Sequence, residues 1–343
     1  MQSDVRRLTA LPAAFIATVL LAVPAVAAET MDHSQHQMTP EQIATLRAKV
    51  PLYANFSDER INQGMSSMPP DTEAYLSSDT VRDHVGILAL SHGYFGDGNE
   101  QFKAGYAKVA TVRPTAVGLG MAMMSSGYIQ TAVNNLEAAG AETIVVLPTE
   151  IGQANPLVRQ WSYIFGLRSE SAFLDVPRVQ TKAKILMAET PTNSPIVARI
   201  LAENLKTVSK EPAREVALLV MHGQDNEKDN EPELLNLGKQ AAAVQKLTGI
   251  SDVFYASLQD DAPPETRAAN VKRMREWVGK ASASGKTVLV APVLMTRGGT
   301  VTRRIANDLK DLPYTVVDKG ITEHPLFDQW VRETVAAELK KAS

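Results

Sequence analysis

The most constraining feature of this sequence is an order of elements that occurs twice, about 130 residues apart. A short apolar run at residues 85–90 ends in Ser-His-Gly, and a second run at 216–221 ends in His-Gly. Neither run alternates apolar with polar residues, a pattern typical of parallel strands that are buried on both faces. A turn containing Asp and Asn, and then a helical stretch, follows each run.

The later elements keep this order in both parts of the chain. The predicted pairs are second strands at 115–121 and 252–258, helices at 128–139 and 264–281, third strands at 143–147 and 287–290, fourth strands near 183–187 and 314–317, and long helices at 195–208 and 325–340. Strands that alternate with helices predict an α/β fold, with a parallel sheet that carries helices on both faces. The repeated order predicts two similar domains, residues 81–210 and 211–343, joined by the polar, proline-containing stretch 209–214.

The first residues predict export. Arg6 and Arg7 precede an uncharged, mostly apolar run at 8–28 that contains Ala-Val-Ala near its end. This arrangement is typical of a secretory signal peptide, here over residues 1–27, and an uncleaved anchor is the alternative. Because no other long apolar run exists, we expect a periplasmic protein without stable membrane insertion after cleavage.

Residues 28–80 are interrupted by prolines and rich in Ser, Gln and Asn, which predicts low order apart from one short helix after Thr39. The stretch upstream of this helix contains two imidazoles and two thioethers, from Met31, His33, His36 and Met38. Such ligands suit copper better than calcium or magnesium. The stretch is therefore either an auxiliary copper site or a solvated tail whose His and Met residues bind nothing.

The two repeated histidines, His92 and His222, stand one or two residues past the ends of their predicted strands. In open parallel sheets, ligands bind beyond the carboxyl ends of the strands. The glycine after each histidine would allow the backbone to approach a ligand closely. The sequence therefore predicts a ligand site at these positions, and a histidine that merely caps its strand is the alternative.

Composition limits the chemistry of such a site. The chain contains no cysteine, so a disulfide, a thiolate nucleophile, an iron–sulfur cluster and a Cys zinc site are all excluded. Any metal must be held by His, Met, Asp, Glu or a bound ligand. The formal net charge of −3 does not provide the basic field that nucleic-acid binding needs, so no nucleic-acid partner is expected.

Residues 88–102 and 218–231, with their strand, His-Gly and Asn-containing turn, resemble the class II metal chelatases. These are the sirohydrochlorin cobaltochelatases and ferrochelatases, whose longer members carry two fused copies. The resemblance covers about residues 84–340. It implies that a divalent metal ion, cobalt or iron, is inserted into a tetrapyrrole by a lyase-type enzyme. It also implies that His92 and His222 are the metal ligands and proton acceptors.

The sequence departs from this family at two places. The family has a Glu near the end of its second strand, where Met123 and Gln259 stand here. Its second histidine, after the third strand, is absent from residues 148–155 and 292–300. Glu150 and His324 are the residues that would complete the metal ligands in its place.

These departures leave two functions open: a chelatase, or a non-catalytic periplasmic carrier of copper or haem built on the same fold. In either case, the forked donors of Arg297, Arg303 and Arg304 would meet tetrapyrrole carboxylates, unless these arginines serve only solubility.

Overall fold

The computed structural model describes residues 38–343, in which strands and helices alternate along most of the chain. The strands are β1 Thr72–Tyr75, β2 Val85–Ser91, β3 Thr115–Leu119, β4 Thr143–Pro148, β5 Lys184–Met187, β6 Glu215–Met221, β7 Asp252–Ser257, β8 Thr287–Pro292 and β9 Thr315–Val316. The helices are α1 Pro40–Lys49, α2 Asp58–Ser66, α3 Gly98–Ala110, α4 Gly127–Ala138, α5 Pro156–Ile164, α6 Pro195–Lys206, α7 Glu227–Thr248, α8 Pro264–Ala283, α9 Gly299–Asp308 and α10 Pro325–Ala342. The predicted α/β fold class is confirmed.

The strands form two sheets, which define two halves of the molecule. The first half, up to α6, has the strand order β1-β3-β2-β4-β5, and the second half, from β6 onward, has the order β7-β6-β8-β9. All neighbouring strands run parallel except β1, which is antiparallel to β3. The registers of the two sheets match, because Ser91 lies opposite Leu119 in one and Met221 lies opposite Ser257 in the other.

One apolar core extends through both halves. β2 and β6 each lie between two neighbouring strands, and all their residues except the half-buried Val85 are buried. The Tyr106 ring of α3 packs edge-on against the Phe327 ring of α10, with centroids 5.3 Å apart. Beside them, a Cβ at Gly105 would lie 2.9 Å from the Cβ of Thr322, so the glycine leaves room for Thr322. Tight packing between α3 and α10 therefore holds the halves together.

The segment that precedes β2 is more ordered than the sequence predicts. As expected, Thr39 caps α1, and it forms a reciprocal capping box with Gln42. The following helix, α2, and the strand β1 were not expected. The prediction of low order is wrong for residues 38–80, because α1 and α2 bury apolar side chains such as Leu46 and Ile61 against the first half.

Met38 belongs to this packed segment and not to a solvated tail. It immediately precedes the Thr39 cap, and it joins Ile43 in the same buried cluster, as expected for a hydrophobic staple. Met38 is only 7 % exposed, and its predicted role as a copper ligand stays a prediction. Met31, His33, His36 and the predicted signal peptide lie outside the described residues. Within 38–343, no helix has the length and apolarity needed to cross a bilayer.

Candidate functional site

His92 follows β2 and lies beside the carboxylate of Glu150, which follows β4. Glu150 Oε1 accepts the His92 backbone N–H at 2.7 Å and the Ser91 hydroxyl at 2.5 Å. Its second oxygen, Oε2, lies 4.0 Å from His92 Nε2. The Glu150 side chain is 7 % exposed and the His92 side chain is 40 % exposed, so a fixed carboxylate supports an accessible imidazole.

His222 occupies the corresponding place after β6, with a different carboxylate. Asp261 follows β7, and its Oδ2 lies 3.8 Å from His222 Nε2. Both side chains are accessible, at 41 % for His222 and 44 % for Asp261. The second half therefore also presents an imidazole–carboxylate pair, but this carboxylate is more hydrated than Glu150.

The ring orientation of both histidines is fixed in the same way. Nδ1 of His92 lies within hydrogen-bond reach of the Gly93 carbonyl, and Nδ1 of His222 lies 2.8 Å from the Gly223 carbonyl. A carbonyl only accepts, so each Nδ1 carries the proton and each Nε2 keeps its lone pair. Each Nε2 can therefore bind a metal ion or accept a proton, and the nearby carboxylate stabilises the resulting positive charge.

Contacts between loops join the surroundings of the two sites across the interface between the halves. On one side, the Arg297 N–H donates to Gln101 of the His92 half at 3.0 Å. On the other side, a Cβ at Gly152 would lie 3.2 Å from the side-chain Nε2 of Gln224, a residue that stands two positions after His222. Each histidine loop thus approaches the loop that follows the third parallel strand of the opposite half. We refer to the region bordered by these loops as the cleft, and the His92 and His222 side chains are 40 % and 41 % exposed.

Strand register changes the residue correspondence proposed from sequence. Because Leu119 and Ser257 are equivalent, the register does not pair Gln259 with Met123, and beyond the strands the loops diverge, since the positive φ falls at Ala122 in one and at Gln259 in the other. Gln259 is 3 % exposed, and its side chain bonds to Gln224, Glu227 and Asn270, which leaves it no role at the cleft. The sequence analysis missed Asp261, which lies in the loop after β7 beside His222.

His324 does not join these pairs. It caps α10, where its Nδ1 accepts the Leu326 N–H at 3.2 Å, and its Nε2 lies 3.1 Å from Glu203 Oε2. Burial lowers the pKa of this imidazole, and the Glu203 carboxylate opposes that shift. Among residues 38–343, no three His, Asp or Glu side chains gather closely enough to hold a metal ion. The structure brings Glu150 to His92 and places His324 beside Glu203, and the predicted metal-ligand roles of these residues stay predictions.

Tyr94 and Ser91 extend the first pair into a hydrogen-bonded chain that the sequence did not reveal. The Tyr94 hydroxyl lies 2.7 Å from Ser91 Oγ, and its ring packs on His92 with centroids 4.5 Å apart. Burial raises the pKa of Tyr94 well above its usual range, and the Glu150 carboxylate raises it further. Tyr94 is thus a neutral donor to Ser91, which in turn donates to Glu150.

The three predicted arginines have different surroundings. Arg297 pairs with Glu323 at 2.6 Å, and Arg304 pairs with the buried carboxylate of Asp260. Arg303 bonds to the Thr300 hydroxyl at 3.1 Å. Arg297 is the one with a direct bond to the opposite half, through its backbone, which places it nearest to the shared cleft.

We expect alanine at Gly223 to be more destabilising than alanine at Gly93. Both glycines have φ of +81°, which costs an L-residue about 1–2 kcal/mol. A Cβ at Gly223 would also overlap Ser257 Oγ, whereas the nearest atom to a Cβ at Gly93 is 3.5 Å away. Urea unfolding of Gly223→Ala and Gly93→Ala measures the difference. Equal loss of stability would show that Ser257 adjusts freely.

Comparisons with known proteins agree with this architecture. No protein-family model matches the sequence, and no curated protein matches it. Among solved structures, SirB from Bacillus subtilis with Fe³⁺ has a TM-score of 0.54 at 16 % identity, covering 74 % of this chain and 95 % of SirB.

Two further structures resemble the chain more distantly. CbiX, described as the terminal enzyme for biosynthesis of siroheme in denitrifying bacteria, has a TM-score of 0.46 at 16 % identity, covering 74 % of this chain and 99 % of CbiX. DR2241 from Deinococcus radiodurans, described as a multi-domain protein with structural similarity to chelatases, has a TM-score of 0.49 at 17 % identity, covering 74 % of this chain and 55 % of DR2241. The similarity to SirB confirms a class II chelatase-like fold.

Proposed function

We propose that this protein inserts a divalent metal ion, cobalt or iron, into a sirohydrochlorin-like tetrapyrrole held in the cleft between its halves. The observation that carries the proposal is the pair of imidazoles after β2 and β6, each about 40 % exposed and each with its Nε2 beside a carboxylate. The chelatase-like fold, which resembles that of SirB from Bacillus subtilis with Fe³⁺, supports the same chemistry.

Metal insertion requires two proton acceptors. The incoming divalent ion forms bonds to the ring nitrogens, and two pyrrole N–H groups each lose a proton. His92 Nε2 and His222 Nε2 would each receive one, and Glu150 and Asp261 would stabilise the two imidazolium ions. Before insertion, the same Nε2 atoms would bind the metal ion weakly, which suits an ion that must move on to the ring.

A non-catalytic carrier of copper or haem is the second candidate. The observation that favours it is the absence of the family's second histidine after both third strands, from residues 148–155 and 292–300. A thioether is a soft ligand that suits copper better than cobalt or iron. Met31, His33 and His36 would add a copper site on the exported chain, and export to the periplasm remains a proposal based on residues 1–27.

Absorbance spectroscopy separates the two candidates. The purified protein is mixed with excess sirohydrochlorin and Co²⁺, or with Fe²⁺ in the absence of oxygen, and the metallated ring is followed over many equivalents. A chelatase is expected to turn over repeatedly above the uncatalysed rate. Stoichiometric binding of copper or haem without turnover would replace the proposed enzyme with the carrier. If the protein showed neither turnover nor binding, both functions would be excluded.

A further inference from the structure

Glu233 of α7 is a buried carboxyl group at the interface between the halves. The residue is 1 % exposed, and it belongs to neither histidine–carboxylate pair. Its Oε1 accepts the backbone N–H of Ala154, which lies in the loop between β4 and α5 of the first half. The backbone N–H of Gln153 donates to the same carboxyl group. A side chain of the second half therefore holds a loop of the first half by its backbone.

This carboxyl group lies between the loops that follow the two candidate sites. Gly152 stands two residues after Glu150, and a Cβ at Gly152 would lie 2.9 Å from Cδ of Glu233. The same Cβ would lie 3.2 Å from Nε2 of Gln224, which belongs to the histidine loop of the second half. Movement of the loop after β4 would therefore displace the carboxylate of the first site.

A second residue of α7 fastens the same loop. Asp229 stands about one helical turn before Glu233, and its Oδ2 pairs with Arg159 of α5 at 2.8 Å. The Arg159 guanidinium also donates to the Ala154 carbonyl at 2.6 Å. Both backbone groups of Ala154 are thus bonded to a side chain of α7 or to the arginine that α7 binds.

The surroundings of Glu233 favour its neutral form. Within residues 38–343, its Oε2 is buried and has no hydrogen-bond partner, which is costly for a charged oxygen. Burial raises the pKa of Glu233, the Ala154 N–H opposes this shift, and the Asp229 charge adds to it. Besides Asp229, the charged or titratable groups that neighbouring elements bring to this region are Arg159 on α5, Glu150 after β4, and His222 and Asp225 after β6.

We propose that Glu233 is a positioning residue: its neutral carboxyl group holds the loop that follows Glu150 against the second half, and so keeps the Glu150 carboxylate beside His92. Ionisation places an unpartnered charge in a buried site and therefore favours release of the loop. The stabilisation by the neutral form is complete below the ordinary pKa of a glutamate, and it is lost as the pH rises through the raised pKa of the folded protein. The consequence for metal insertion rests on the proposed function.

Hydrogen exchange of residues 150–158, measured on the full chain by mass spectrometry, tests this role without metal insertion. After correction for the intrinsic effect of pH, we expect protection of the loop to fall between about pH 5 and about pH 8, by about tenfold for each unit by which the pKa is raised. Glu233→Gln stays neutral and keeps an oxygen for the Ala154 N–H, so its protection is expected to be equal at both pH values. Glu233→Ala removes the acceptor and is expected to reduce protection at both.

Glu73→Gln is the matched control. Burial also raises the pKa of Glu73, but this residue lies in β1, where it accepts from the Asn135 amide of α4 at 3.0 Å. Its replacement is expected to leave the pH dependence of the loop as in the unaltered protein. The proposal would be overturned by loop protection that is independent of pH in the unaltered protein, that falls equally in Glu233→Gln, or that becomes independent of pH in Glu73→Gln as well.

Rates of cobalt insertion into sirohydrochlorin connect this role to the proposed function. The rate of the unaltered protein, divided by that of Glu233→Gln, is expected to fall over the same pH interval as the loop protection. A constant ratio in a protein whose loop opens would show that Glu150 does not depend on Glu233, against the positioning role. The expected exchange result without insertion by any variant would count against the proposed function and still support the hold of Glu233 on the loop.

Discussion

Replacing either cleft histidine is expected to slow metal insertion by about 10²-fold or more, the usual contribution of a positioned proton acceptor. His92→Ala and His222→Ala each remove one Nε2 lone pair and leave one pyrrole proton without its acceptor. Because both protons must leave the ring before the metal is fully bound, neither histidine is expected to substitute for the other. Initial rates of cobalt insertion into sirohydrochlorin measure the loss.

The chain offers a matched control for these variants. His84 also stands beside a carboxylate, with Nδ1 3.4 Å from Glu142 Oε1, but it precedes β2 and so lies at the opposite end of the sheet. His84→Ala is expected to leave the insertion rate unchanged. If all three alanine variants retained the original rate, the imidazoles of the cleft would not be the proton acceptors.

Variants of the two carboxylates distinguish the contribution of the His92–Glu150 pair from that of the His222–Asp261 pair. Glu150→Gln keeps an oxygen that can accept from Ser91 and from the His92 backbone, but it removes the charge beside His92 Nε2. Because Glu150 is nearly buried and Asp261 is 44 % exposed, water screens the charge of Asp261 more effectively. We therefore expect Glu150→Gln to reduce the rate more than Asp261→Asn does.

The sequence was sufficient to predict the alternating strands and helices of residues 85–342. The buried runs are continuous and apolar, and their periods and lengths distinguish them from the helices between them. The N-terminal segment was harder, because α1 and α2 are short and polar overall and depend on packing against the first half. Packing between elements distant in sequence is not visible in local composition.

For a related reason, the sequence predicted only part of the candidate site. His92 and His222 are marked by their strands and by the glycines that follow them. Identifying the second carboxylate requires the strand register. The sequence comparison selected Gln259, and Asp261 lies two residues further along the chain. The sequence did not reveal that His324 caps α10, because a residue that precedes a helix and proline can serve as a cap as readily as a ligand.

Asp260→Ala is expected to be the most destabilising single substitution near the cleft, with a loss of about 3 kcal/mol in the free energy of unfolding. The Asp260 side chain is 5 % exposed and accepts Arg267 Nε at 2.6 Å. It also pairs with Arg304, while Arg267 binds Asp308 at 2.6 Å. The Arg267 side chain is only 18 % exposed, so little water can reach its guanidinium. Removing Asp260 therefore deprives a poorly hydrated charge of one of its two carboxylate partners.

Urea unfolding followed by circular dichroism measures this loss, and Glu100→Ala is the control. Glu100 forms an ion pair with Lys103 at 2.5 Å, but its side chain is 74 % exposed, so its removal is expected to cost roughly 0–1 kcal/mol. Asp260 also precedes Asp261 directly, so the same substitution is expected to slow metal insertion even where the protein is still folded. Unchanged stability in Asp260→Ala would mean that Asp308 alone neutralises Arg267, and the position of Asp261 would then depend on the β7 backbone instead of this ion-pair network.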